Sequence, residues 1–348
     1  VGGFGGIPTH RGVSYRSGMD RQYGTTTAAV LTRLPELVLP LTGWYVHDVE
    51  QKIAAIGEVT LDSEEAIQAA RTAYDALRQE RKEQVSNYDV LVAAEARLAE
   101  LNAENIYKTT GDYIAAKGTP VTGSIGGEWA VLGLARSGRD IPGADDYYAS
   151  VEEYVRKAMD EDGRLNRSRS TENSRLILAL TAMGKDVTHV AGRNLLDGLD
   201  SMSFITKQSV NGPVWALLAL DSGAYDIPEN TAGTTQATRD GYVDYILNAE
   251  LPGGGWSFAG GDAETDITAM ALQALAKYRD RKDVSEAVER GLTVLSQQQE
   301  ENGGFVAYDS ESSESIAQVI VALTELDVSL TDSRFVKSGN TLVSRLLE

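Results

Sequence analysis

Cysteine does not occur in this chain. Its absence removes disulfides, thiolate nucleophiles and thiolate metal sites together, and because it suits the cytosol and a bacterial surface equally it fixes no compartment. Histidine is nearly as scarce: His10, His47 and His189 lie in unrelated segments, so imidazoles offer no metal cluster. Basic residues are outnumbered, 32 Lys and Arg against 51 Asp and Glu, for a formal net charge of −19. A surface of that sign repels the phosphates of nucleic acid and the face of an anionic bilayer. No apolar run is long enough to span a membrane. With 5 Phe and 4 Trp in 348 residues, there is also little to wall a cavity with aromatic faces.

What the chain has in quantity is small and aliphatic residues, arranged in a repeat. A phrase rich in Ala, Gly and Ser recurs as GGEWAVLGLARSG, TENSRLILALTAMG, NGPVWALLALDSG, ETDITAMALQAL and ESIAQVIVALTEL. Its matching leucines are Leu134, Leu180, Leu220, Leu272 and Leu323, at intervals of 46, 40, 52 and 51 residues. Such a period is one helical pair per repeat, each unable to bury its apolar face alone. A more polar segment follows each phrase, then a glycine turn with an aromatic. The clearest copies are YVDYILNAELPGGGWSF at 242–258 and GLTVLSQQQEENGGFVAY at 291–308, with weaker ones at 150–165 and 194–202. Alternation of a nearly all-apolar helix with an amphipathic one predicts an inner ring wrapped by an outer ring.

The last copy, FVKSGNTLVSRLLE, stops before its glycine turn, whereas the chain begins VGGFGG. Residues 17–34, SGMDRQYGTTTAAVLTRL, then read as another inner helix anchored at Leu31, 56 residues from Leu323 through the joined ends. The expected fold is therefore all-α: an (α/α)6 toroid in circularly permuted order. Residues 1–43 supply a turn and the sixth inner helix, residues 104–348 the other five hairpins, and Val1 lies near Glu348. Such an order suits a cut from a tandem array, with neighbouring toroid modules or head-to-tail self-association as partners. Closure within one chain carries no association cost and is the expectation here.

Leu31 and Leu134 stand 103 residues apart, about one repeat more than the period allows. The excess, residues 44–103, reads as an inserted antiparallel helical hairpin serving as a spacer. Asp62 and Glu65 fit a capping box. Ile67, Ala70, Tyr74 and Leu77 share a 3-4-3 spacing, QVSNYD makes the turn, and Leu91, Ala94, Leu98 and Leu101 line the return helix.

These segments carry a family resemblance. The turns GGGWSF and QQQEENGGF are similar to the Q-x-x-x-G-x-W repeat of terpene cyclases, and the paired helices resemble the α/α toroid of those cyclases, protein prenyltransferases and cobalamin carriers. More closely, the five inner phrases resemble toroid modules of secreted or surface-attached bacterial proteins, and IAAIGEVTLDSEEAIQAARTAYDAL resembles segments beside such modules. The resemblance implies an extracellular or cell-surface location and a fold that hosts several activities. A zinc prenyltransferase or a complement-type thioester protein would need a cysteine and is excluded. A cyclase would need its D-x-D-D-T-A acid; the matching stretch is Glu264-Thr265-Asp266-Ile267-Thr268-Ala269, with Asp266 on the proton donor, Glu264 on the first acid and Ile267 in place of the third. Cobalamin carriers imply a corrinoid as one candidate ligand, although nothing in the chain resembles the β-rich domain that closes over it.

Register on the anchor leucines predicts what gathers at one mouth of the ring. Glu128 and Asp266 lie six residues before their anchors, Glu172 and Glu264 eight. Trp129, Arg175, Trp215 and Gln318 lie five before, and Gln22 and Glu314 nine. Acids, amides, one Arg and two indoles on a concave rim are a candidate site for a small molecule or a surface polymer. Acids at helix starts are also favoured by the helix dipole alone. Glu128 with Asp266 as acid and base, and Trp129 with Trp215 for stacking, would suit a glycan-active enzyme. The leading expectation is a non-catalytic binding or scaffold module with no metal and no resident cofactor.

Overall fold

In the computed structural model the described residues are 45–348, except Tyr308 and the side chain of Ile125. Gln22, Leu31, the expected sixth inner helix and the expected meeting of Val1 with Glu348 lie outside them. The chain divides into two units, Val1–Glu104 and Asn105–Glu348.

The first unit holds α1 (residues 45–55), α2 (Glu64–Asp75), the single turn α3 (Gln79–Lys82) and the start of α4 (Tyr88–Ala115). Ile67 and Ala70 of α2 and Leu91, Ala94 and Leu98 of α4 are buried, together with Val46, Val49, Ile53 and Ile56. The core is thus built from three helices rather than a hairpin. Arg71 donates to Glu95 at 2.6 and 2.5 Å, and Tyr74 stacks on Tyr88 with centroids 4.3 Å apart. Contacts that rise in number along α2 and fall along α4 make the pair antiparallel. The capping box is made by Thr60 and Ser63, not Asp62 and Glu65: the Thr60 N–H donates to Ser63 Oγ at 2.9 Å. α3 intrudes before the expected turn, and the chain is then held by Ser86, whose N–H and hydroxyl both donate to Glu50.

The second unit runs α5 (Ile125–Arg136), α6 (Ala144–Ala158), α7 (Thr171–Ala182), α8 (Met202–Ile205), α9 (Asn211–Ser222), α10 (Arg239–Asn248), α11 (Thr265–Leu275), α12 (Lys282–Gln298), α13 (Ser313–Glu325) and α14 (Leu342–Leu347). The odd-numbered helices from α5 to α13 are the repeated phrases, and each packs on the next. All five anchor leucines are buried, and Ala179, Ala219, Ala271 and Ala322, one residue before four of them, are fully buried. A methyl group there lets neighbouring helices approach closely. The more polar helices bury one stripe each: Tyr147, Val151 and Val155 on α6, and Val284, Ala287, Val288, Gly291, Leu292 and Leu295 on α12. The expected second helix at 194–202 is instead a 3-10 turn, Leu195–Leu199, followed by the four-residue α8. That truncation accounts for the shortest interval, between Leu180 and Leu220.

The glycine turn recurs in atomic detail. The N–H groups of Asp160, Leu251 and Glu300 each donate to the carbonyl four residues on, at 3.0 Å. Gly163, Gly254 and Gly303 donate back across the same turns, and their φ values of +76°, +88° and +87° suit glycine alone. Two residues later the chain plunges inward, burying Leu165, Trp256 and Phe305. The Trp256 indole N–H is satisfied by the Ile246 carbonyl at 2.7 Å. Each plug also tethers the next inner helix: Leu165 N–H donates to Asn173 Oδ1, while Glu264 N–H and Ser312 N–H donate to the Trp256 and Phe305 carbonyls.

The described residues are thus predominantly helical. Their one sheet is the two-stranded pair β1 (Val306–Ala307) and β2 (Ser310–Glu311), antiparallel with Val306 opposite Glu311. No described helix is long and apolar enough to cross a membrane.

Candidate ligand site at the inner-helix starts

The predicted rim residues fall into two groups with opposite chemistry. On α5 and α7 they are saturated by one another. Glu128 is 1% exposed and accepts from the Gly123 N–H at 2.8 Å, the Tyr147 hydroxyl at 3.2 Å and Arg175 Nε at 3.1 Å. Arg175 also donates to Glu172 at 2.6 Å, and Arg169 lies 3.5 Å from the same carboxylate. Burial pushes the Glu128 carboxyl above the usual carboxylate range, opposed by the Gly123 hydrogen bond and the Arg175 charge. The same burial, reinforced by the Glu128 charge, raises the Tyr147 phenol. Trp129 and Trp215, half-buried on α5 and α9, bring their rings to 5.2 Å at 49°. They stand at the register of Arg175 on α7, the helix between them in the packing order.

On α11 and α13 the rim is open. A cavity of about 590 Å³ is bounded by the start of α11, the end of α12, β1 and Ser315 of α13. Its walls include Glu264, Asp266, Gln297, Gln298 and Glu300, with Ala263, Val306 and Ala307 as apolar patches. Asp266 is half-buried, and its Oδ1 is sealed from solvent without a hydrogen-bond partner. It does not cap α11: the N-cap is Glu264, whose side chain makes no capping bond but accepts weakly from Phe258 N–H at 3.4 Å. Gln298 is committed, donating to the Ala263 carbonyl at 2.6 Å and accepting from Thr265 at 3.1 Å. Ser315 is buried and donates to Ser312, the N-cap of α13.

The remaining candidates stand apart from the cavity lining. Glu314 is exposed and accepts from the Ser313 hydroxyl at 3.2 Å. Gln318 Oε1 accepts from Gln273 at 2.8 Å. Gln22 lies outside the described residues. Register on the anchors brings Glu264 and Asp266 together but misses the wall made by Gln297, Gln298 and Glu300. The run QQQEE, immediately before a glycine turn, is the signal that marks it. An open groove of about 960 Å³ along α2 is lined by Lys52, Asp62, Glu64, Glu65, Gln68 and Thr72 together with Leu61 and several alanines. Among the described residues no three acidic or histidine side chains are placed to hold a metal ion.

The described residues define a predominantly helical protein of recurring helix–turn units with a polar cavity at the starts of α11 and α13. No family model matches the chain, and no curated protein or solved structure matches it either.

Proposed function

We propose that this chain is a non-catalytic ligand-binding or scaffold module of a bacterial surface or secreted protein. It is built as an α/α toroid, and it holds a small molecule or surface polymer at the inner-helix starts. The serial packing of five like helices supports the ring. The observation that carries the binding reading is the cavity itself, of ligand size and walled by three carboxylates, with Asp266 Oδ1 unpartnered among the described residues.

Two features weigh against the enzyme readings. The described cavity lining contains no aromatic ring, whereas carbocation chemistry relies on aromatic faces. Glu128, buried and triply hydrogen bonded, is poorly suited to act as acid or base opposite Asp266. A thermal-shift screen of corrinoids, isoprenoid diphosphates and cell-wall glycans tests the reading. One class should raise the melting temperature of the wild type and fail to raise that of Asp266→Ala, while Trp215→Ala should respond as the wild type does. No shift from any class would leave a purely architectural role.

A further inference from the structure

The α11–α13 cavity, whose role as a binding site is the reading proposed above, is short of both hydrogen-bond donors and positive charge. Three carboxylates, Glu264, Asp266 and Glu300, face it, and no Lys, Arg or His is among its described lining residues. Elsewhere in this protein buried or half-buried carboxylates pair with a guanidinium: Glu128 and Glu172 share Arg175, Glu250 pairs with Arg290 and Glu95 with Arg71. Asp266 and Glu300 have no side-chain partner among the described residues, and Asp266 Oδ1 accepts no hydrogen bond from any of them. A half-buried carboxylate without a partner, as at Asp266, is disfavoured until a cation or a donor meets it.

The helix ends do not supply that cation. The starts of α11 and α13 contribute roughly half a positive charge each and the end of α12 half a negative one, leaving the cavity about two and a half charges negative. Of its side-chain donors, the Gln298 amide and the Ser315 hydroxyl already donate elsewhere, and the Gln297 amide also lines the wall. A single metal ion is not the complement either, since no three of these carboxylates converge on one point. The complement is an extended ligand with separated positive groups, each offering several N–H donors.

We infer that this cavity binds a small ligand bearing two or more primary ammonium groups. Each –NH₃⁺ presents three donors and no acceptor, matching the three carboxylates of the wall, and the cavity volume is that of a typical small-molecule site. The net charge of −19 draws such a ligand in. Two sources carry this chemistry: a free polyamine, and an oligosaccharide of unacetylated amino sugars.

Isothermal titration of the full chain distinguishes them, with spermidine, a glucosamine trisaccharide and its fully N-acetylated form as probes, at low and physiological salt. The expected result is binding of spermidine or the free-amine trisaccharide, weakened by salt, with no binding of the acetylated form. Asp266→Asn and Glu300→Gln should each weaken it roughly tenfold or more, and Glu314→Gln, outside the lining, should not. Far-UV circular dichroism and melting temperature certify that each variant is folded, and Glu300, beyond the helix, serves if Asp266→Asn is unstable. Equal binding of the acetylated form, lost in Asp266→Asn, would overturn the amine inference and leave the site standing. No binding by any probe, or binding indifferent to both variants, would overturn the site as well.

Discussion

Glu128 and Asp266 occupy the same register, six residues before their anchor leucines, yet one is fully engaged and the other is not. Register is legible in sequence because it depends on helical spacing alone. Partnership is not, because the groups that satisfy Glu128 come from elsewhere: Tyr147 lies 19 residues away and Arg175 lies 47. The engaged residue has a testable pH signature. Burial raises the Glu128 carboxyl above its ordinary 4.5, so the folded chain holds this proton more tightly than the unfolded chain. The stability it contributes is complete below 4.5 and is lost as pH rises through the raised value. Subtracting the unfolding free energy of Glu128→Gln from that of the wild type cancels the other carboxylates. That difference should fall with rising pH across the window, by at most about 1.4 kcal/mol per pH unit. Urea denaturation at a series of pH values measures it. A difference that grows with pH would mean that the Arg175 pairing outweighs the cost of burial.

At the scale of elements, the glycine turn is the unit that repeats most faithfully. Its residue types are visible in GGGWSF and ENGGF, but the destination of the following side chain is not. Trp256, Phe305 and Leu165 share one buried role although only two are aromatic, since the position needs apolar volume rather than a particular ring. α1 belongs to the core of the first unit, and Val46, Val49, Ile53 and Ile56 have the same 3-4-3 spacing as the apolar residues of α2 and α4. A hairpin of two seams already looked complete without it. The second polar helix, by contrast, is lost to a 3-10 turn, which the shortened interval of 40 residues marks in the sequence. The turn geometry predicts a contrast between two glycines. At Gly303 φ is +87° and a Cβ would lie 2.8 Å from the Thr341 carbonyl oxygen, whereas a Cβ at Gly253 meets nothing within 4 Å and φ there is not positive. Gly303→Ala should destabilise by more than about 1 kcal/mol, and Gly253→Ala should be neutral or stabilise by up to about 1 kcal/mol. Denaturation midpoints with unchanged m-values would show it. Equal midpoints for the two variants would mean that the tight turn relaxes without cost.

Over the whole molecule, the leucine period marks five helices that pack in series within the described residues but says nothing about the curvature of that series, which depends on how each pair packs. It also does not say how stability is shared. The two units have separate apolar cores, one drawn from Val46 to Leu98 and the other from Val131 to Leu342. Ten buried apolar residues make up the described part of the smaller core, and a core of that size is marginal. α4 is continuous across the boundary between the units, so covalent helix, rather than a shared core, is the described link. Ile53 and Leu220 are both fully buried, one in each core. Truncating either to alanine should cost about 2–5 kcal/mol in its own unit. Perturbations in cores that share no residues should act independently. Scanning calorimetry should therefore resolve two transitions, with Ile53→Ala lowering only one and Leu220→Ala only the other. If either substitution moves a single transition of the entire chain, the units unfold as one cooperative body, and α4 transmits stability between them as well as connecting them.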